Sequence, residues 1–407
     1  MTTVPPRTSR RGGTGRRCTS GEREEATMYR STTADYLVVD AQVHAWDGSP
    51  SNQAGPSGEA YVAELYRRHR LLDRHPHAVD ADEFERVTGD GLRADVIGGH
   101  VDRAVLQPLT LDDLFVLGFS PTAWHAEVAE EQPGRFVLAG EVDPALGSAG
   151  ARGLAARVRN ADLRGLHLAP AHRPGARIPL GEPWLRRVLA RAEQSGATVV
   201  HLGVGPSTPS WPGVPGWAIP RRADVAAAAA RPRRWPDWAH PVRAGSALPV
   251  RSPDRSAGQG GFDPTQLRDL AAALPRVQFV LGAACMPTAS LCRLARLPNV
   301  HVLLTELLAG LRLHRVDAAR AFGSLLEAFG VHRMLFGSGY PLIRPARLVR
   351  ELVDFRFPDE LCGRYADLDD MGRHALLGGN AARLYRIPLP AGAVPAVPAA
   401  LRPGAGS

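Results

Sequence analysis

The run Leu37-Val38-Val39-Asp40-Ala41-Gln42-Val43-His44-Ala45-Trp46 decides how this chain is read. It is apolar except at Asp40, Gln42 and His44, as expected of a strand buried on both faces of a parallel sheet. Side chains alternate along a strand with a period of two, so Gln42 and His44 share a face. Tyr36–His44 is the first strand, and similar short runs recur outward from it. They are Arg103–Pro108, Phe136–Val142, Gly165–Ala169, Thr198–Gly203, Val277–Gly282, Val300–Thr305 and Met334–Gly337. Helical stretches such as Trp184–Gln194 and Ala318–Phe329 lie between them. Eight β/α units in this order predict an α/β protein with a closed (β/α)8 TIM barrel, whose active site sits at the C-terminal strand ends.

A chain of 407 residues can hold one such barrel with additions, since the barrel needs roughly 250 residues. Residues 1–35 are rich in Arg, Gly, Ser and Thr without periodicity and read as a disordered tail, with Met28 an alternative start to Met1. Residues 388–407, rich in Pro, Ala and Gly, read as a second tail. The barrel proper is expected over 36–387. Two long insertions interrupt it at C-terminal strand ends, 48–95 and 204–262. The second holds Trp211, Trp217, Trp235 and Trp238 and reads either as a partly ordered cap or as a disordered expansion.

The chain has no lysine, so all 49 basic residues are arginine and a Schiff-base lysine is excluded. The net charge of +8 is spread along the chain. No basic segment with interleaved aromatics occurs, so no nucleic-acid partner is expected. No apolar run approaches the ~18 residues of a membrane span, and no secretory leader is visible. The expected location is cytoplasmic. Cys18, Cys285, Cys292 and Cys362 lack metal or redox spacing and are expected to be free thiols. Phosphate-loop, Gly-x-Ser-x-Gly and Gly-x-Gly-x-x-Gly patterns are absent.

The first strand, together with Arg333-Met334-Leu335-Phe336-Gly337-Ser338-Gly339-Tyr340-Pro341, resembles the first- and eighth-strand signatures of the amidohydrolase-related family. "PGRFVLAGEVDP", "LRGLHLAP", "ATVVHLG", "LPNVHVLLTELLAGL" and "LLGGNAARLYRI" follow in the family's order, so the likeness covers roughly 36–386. The resemblance implies a TIM barrel that hydrolyses an amide, lactone or related bond, or decarboxylates a small organic acid, with a divalent metal. His44 matches the second His of the family's His-x-His motif, and His201 matches its fifth-strand His. Gln42 stands where the first His belongs, Ala283 where the sixth-strand His belongs, and Gly339 where the eighth-strand Asp belongs. Without lysine there is no carbamylated bridge between two metals, which disfavours the binuclear branch of the family.

Two imidazoles and an amide make a poor zinc site, since catalytic zinc typically has three good protein ligands and a water. His167, on the fourth strand beside His201, is either a third ligand or a core histidine satisfied by a carbonyl. The expected metal set is therefore His44, His201 and His167, holding one divalent metal, zinc by preference, or none. The expected catalytic residues are His201, His44 and Glu306, the last a carboxylate at the end of the seventh strand. Glu141 or Asp143 also enters the mouth at the third strand. Arg173 and Arg344 are positional candidates for pairing a substrate carboxylate. Asn380 reads as the cap of the last helix. A catalytic His201 predicts that His201→Ala abolishes turnover with the melting temperature almost unchanged. The alternative is a non-catalytic homologue that binds a small molecule or a partner protein. A homodimer remains open.

Overall fold

A computed structural model of the chain describes residues 28–31, 34–73, 79–149, 151–169, 178–203 and 262–388. Eight parallel strands form one sheet in sequential order. They are β1 (Val39–Val43), β2 (Arg103–Leu106), β3 (Phe136–Val142), β4 (Gly165–Leu168), β5 (Val199–Leu202), β6 (Gln278–Gly282), β7 (Val300–Leu303) and β8 (Met334–Leu335). Helices pack outside, among them Pro183–Ser195 and Arg315–Phe329. Each strand lies within the span its sequence predicts, and the architecture is the expected (β/α)8 TIM barrel.

Closure between the last strand and the first rests on backbone hydrogen bonds just past β8. Ala41 N–H donates to the Phe336 carbonyl, Gly339 N–H to that of Gln42, and His44 N–H to that of Tyr340, each at 3.0 Å. Asp40 pins the same seam. Its Oδ1 accepts from Ser338 N–H and Gln42 N–H, both at 3.0 Å. Burial raises the Asp40 carboxyl to about 7.

Strand β1 carries an irregularity that aims the site. Asp40 pairs with Ala104 and Val43 with Leu106, so three steps on β1 oppose two on β2, the count of a β-bulge. Before the bulge, Val39 and Ala41 join the barrel-interior cluster with Val105, Val199, Val280, Leu303 and Leu335. After it, Val43 packs in the outer layer with the helices, which leaves Gln42 and His44 facing inward.

The described residues of the insertion 48–95, 48–73 and 79–95, are largely helical. Pro56–Leu72 starts with Pro at its first turn and buries Tyr61, Val62, Leu65 and Leu72. Its rings join Trp46, Phe84, Phe115 and Phe119 in one aromatic cluster. His69 Nδ1–H donates to the Leu342 carbonyl at 3.1 Å, and His69 Nε2 accepts from Val79 N–H at 2.7 Å. The insertion is thereby tied to the loop after β8. Of the second insertion, 204–262, all but Phe262 lies outside the described residues, as do Cys18, residues 1–27 and residues 389–407. The stretch read as an N-terminal tail contains a short antiparallel ribbon, Tyr29–Arg30 against Asp35–Tyr36. No helix among the described residues is long and apolar enough to cross a membrane.

Near the end of the described residues, three continuous helical segments pack beneath the barrel: Asp370–His374, the π-helical Ala375–Gly379 and Asn380–Leu384. Asn380 lies inside this run and is not its cap. Its side-chain amide donates to the carbonyls of Val331 and Met334 at 2.8 and 2.7 Å. Gly378 sits so tightly under β1 that an added Cβ would stand 2.3 Å from the Leu37 carbonyl oxygen, a backbone atom that cannot swing aside. Gly378→Ala is therefore expected to destabilise the fold by ~1–3 kcal/mol, as overpacking typically does. Thermal denaturation reads it, and an unchanged melting temperature would contradict this packing.

Candidate functional site

On the first five strands the inward residues at the C-terminal end of the barrel are polar, whereas those below them are apolar. Glu141, His167 and His201 stand in register on β3, β4 and β5. His44 faces them from β1, and Gln107 follows the end of β2. Glu141 is half-buried, and among the imidazoles His44 and His167 keep a little exposure, 8% and 7%, at the mouth.

Each imidazole has a partner that fixes its proton. His44 Nδ1–H donates to the backbone carbonyl of Gln107 at 2.7 Å, and His167 Nδ1–H donates to that of Pro108 at 2.5 Å. A carbonyl can only accept, so each neutral ring keeps its lone pair on Nε2. Burial depresses both groups, His44 to about 4 with a further push from His167. His167 Nε2 lies over Gly203, where an added Cβ would stand 2.3 Å away. Only glycine at the end of β5 lets the ring come so close.

His201 is held differently. Gln107 Nε2 lies 2.8 Å from its Nδ1 and 3.2 Å from its Nε2, and Tyr385 Oη contacts its Nε2 from below. Burial and repulsion from His167 and His44 hold His201 well below the usual range, so it is neutral.

Glu141 carries the carboxyl of the site. It accepts from Thr110 N–H at 3.1 and 3.2 Å and from the Thr110 hydroxyl. Burial, with repulsion from Asp143 and Asp112, raises it to about 7. Glu306 lies instead at the rim between β6 and β7, against Gly282. Its Oε2 is buried without a hydrogen-bond partner among the described residues. Burial pushes its carboxyl above the usual carboxylate range, and Ala283 N–H is among the groups that hold it. Neighbouring Cys285 is buried, and burial followed by the Glu306 charge pushes its thiol up, so it stays protonated.

The positions where the sequence departs from its family pattern are filled. Gln42 Oε1 accepts from the Thr305 hydroxyl at 2.7 Å. Gly339 has φ +64°, a left-handed conformation that favours glycine, and a Cβ there would meet Thr305 Cγ2 at 2.8 Å. A side chain there would need the Thr305 methyl to move. Ala283 is buried in the main apolar cluster. Arg344 pairs with Asp95 at 3.2 Å, and Arg173 lies outside the described residues.

The expected metal set does not fit this arrangement. Among the described residues, no group of three or more His, Cys, Asp or Glu side chains is placed to hold a metal ion. His44 and His167 each offer Nε2, but both nitrogens of His201 are engaged and Glu306 contacts the β6 rim. Sequence reasoning missed Gln107 and Tyr385. The signal available was Gln107-Pro108 at the end of an apolar strand, and a tyrosine ending "GNAARLY".

Behind the site, His125 is fully buried. Its Nε2 meets the Ser120 hydroxyl at 2.9 Å and the Ala45 carbonyl at 3.2 Å. Burial, then the His44 charge, lowers it from 6.5 to about 3. A depressed histidine contributes stability that is complete above pH 6.5 and is lost as pH falls toward 3, at about 1.4 kcal/mol per pH unit. The stability gap between wild type and His125→Gln should therefore shrink from pH 7.5 to 4.5. Urea midpoints at the two pH values read this, and an equal gap at both would refute it.

A model of the amidohydrolase family matches residues 39–387. The chain belongs to the amidohydrolase family. No curated protein matches it. Among solved structures it is similar to an uncharacterised TIM-barrel protein from Bordetella bronchiseptica, with 16% identity over 86% of this chain and 98% of that one, TM-score 0.52. It is also similar to an amidohydrolase from Burkholderia multivorans with bound zinc, with 18% identity over 86% and 100%, TM-score 0.50. A 5-carboxyvanillate decarboxylase from Sphingomonas paucimobilis is similar at 15% identity over 87% and 99%, TM-score 0.46. The fold is thus shared with a TIM-barrel protein and an amidohydrolase at low identity.

Proposed function

We propose that this amidohydrolase hydrolyses a small acyl compound, an ester, lactone or amide of an organic acid, by general acid–base chemistry at the barrel mouth. The observation that carries the reading is the in-register pair Glu141 and His167, an acid near its midpoint at neutral pH beside a neutral imidazole with Nε2 free. His167 Nε2 takes a proton from water as the water oxygen bonds to the acyl carbon. The tetrahedral intermediate collapses as the bond to the leaving oxygen or nitrogen breaks. Glu141 gives that leaving atom its proton, and the proton on His167 then returns to Glu141. The sum is one acyl compound plus water giving an acid and an alcohol or amine. His44 Nε2 faces the same space and orients the water.

The family usually works with a divalent metal, and one similar structure is described with zinc, but the donor set here argues against a three-histidine centre. Among the described residues, no guanidinium is one of the charges acting on His44, His167 or His201.

The test is a panel of lactones, esters, amides and aromatic acids incubated with the full-length protein, before and after dialysis against a chelator. Product masses distinguish addition of water from loss of carbon dioxide. Chelator-insensitive hydrolysis supports the reading. Loss of carbon dioxide would assign decarboxylation instead, and no turnover across the panel would favour the non-catalytic binding role.

A further inference from the structure

Gln107 and Pro108 touch all three imidazoles through different atoms. The Gln107 carbonyl holds His44, the Pro108 carbonyl holds His167, and the Gln107 side-chain amide reaches His201. The two carbonyls are consecutive along the chain, where it leaves β2. One short segment therefore sets the ring orientation on β1 and β4 and contacts the ring on β5.

The amide end of Gln107 can be assigned without observing hydrogens. Its nitrogen lies 2.7 Å from the Ala41 carbonyl oxygen, which can only accept. One N–H is spent there, which leaves the second for His201, whose Nδ1 at 2.8 Å is nearer than its Nε2 at 3.2 Å. Nδ1 must then supply a lone pair. His201 is neutral and carries one proton, which therefore sits on Nε2. That nitrogen faces Tyr385 Oη, so Nε2–H donates and the phenol oxygen accepts.

Tyr385 is placed for this role by the fold. It follows the last helix, is 1% exposed, and belongs to the apolar cluster that fills the barrel interior. Gly165 on β4 makes room for it: a Cβ there would come 3.1 Å from Tyr385 Cε1. Its ring lies 6.0 Å from that of His201, at 23° to it.

We infer that Gln107 is the organising residue of the site and that, with Tyr385, it locks His201 as the Nε2–H tautomer, making the fifth-strand histidine a floor for the pocket rather than a ligand or a base. Gln107 and Tyr385 are positioning residues. The inference concerns the same site as the proposed hydrolysis, but its test reads proton positions and needs no turnover, so either can fail while the other stands.

The test is long-range ¹H–¹⁵N spectroscopy of the full-length protein labelled at histidine nitrogen. The His201 resonances are identified as those that Tyr385→Phe perturbs most. Wild type should show His201 protonated on Nε2 and bare on Nδ1, whereas His44 and His167 show the reverse. Zinc chloride added at one equivalent should leave the His201 nitrogens unmoved. Gln107→Glu replaces the donor by an acceptor and should reverse the His201 tautomer, with Tyr385 now donating. A wild-type His201 protonated on Nδ1, or one whose nitrogens take on a zinc-bound shift, would overturn the inference even if Gln107→Glu fails to fold.

Discussion

His167→Ala should lower turnover of the proposed acyl substrate by roughly 10²–10⁴-fold, the usual contribution of a positioned proton-transfer group. The stability cost should be small, ~1 kcal/mol, because the ring makes one backbone hydrogen bond and sits at the mouth. Gly203→Ala gives an independent check that retains the imidazole. Its Cβ would stand 2.3 Å from His167 Nε2 and displace the ring from its place beside Glu141. Both variants should lose rate while initial substrate binding changes less. Initial rates and thermal denaturation measured on the same preparations decide the matter. Full turnover in His167→Ala would remove the residue from the mechanism.

His201→Ala should behave in the opposite way and destabilise the protein by ~3–5 kcal/mol. Truncating a buried ring leaves a cavity, and a large-to-small core substitution alone costs several kcal/mol. Here it also strands a Gln107 N–H and removes the polar partner of Tyr385 Oη, both in a dry interior. Against a typical total of ~5–15 kcal/mol, such a loss lowers the urea midpoint steeply. The sequence alone points elsewhere: a catalytic His201 predicts lost turnover with the melting temperature almost unchanged. A stability loss below ~1 kcal/mol would favour that earlier expectation over the floor role.

The barrel was legible in the chain because strand burial writes itself into composition. Runs such as Leu37–Val43 and Val277–Gly282 are apolar on both faces only when helices cover one side and a barrel interior the other. The positions of His44, His167 and His201 at C-terminal strand ends followed from the same runs. Long-range hydrogen bonding leaves no such pattern, which is why the partners of those imidazoles were not readable. Gln107 is 94 residues from His201, and Tyr385 is 184 residues from it. Nothing local in "VLQPL" or "ARLYRI" announces that an amide and a phenol will claim the two nitrogens of one ring.

The sequence by itself determined the eight strands, their order, the family, and which family positions had changed residue. Only the tertiary structure decided what those changes mean. A β-bulge turns Gln42 and His44 inward, a left-handed Gly339 leaves a Cβ only 2.8 Å from Thr305 Cγ2, and Glu306 packs at the rim against β6. A proton on a histidine is set by whichever donor or acceptor faces each nitrogen, and that is fixed by the packing of strands and helices remote in the chain.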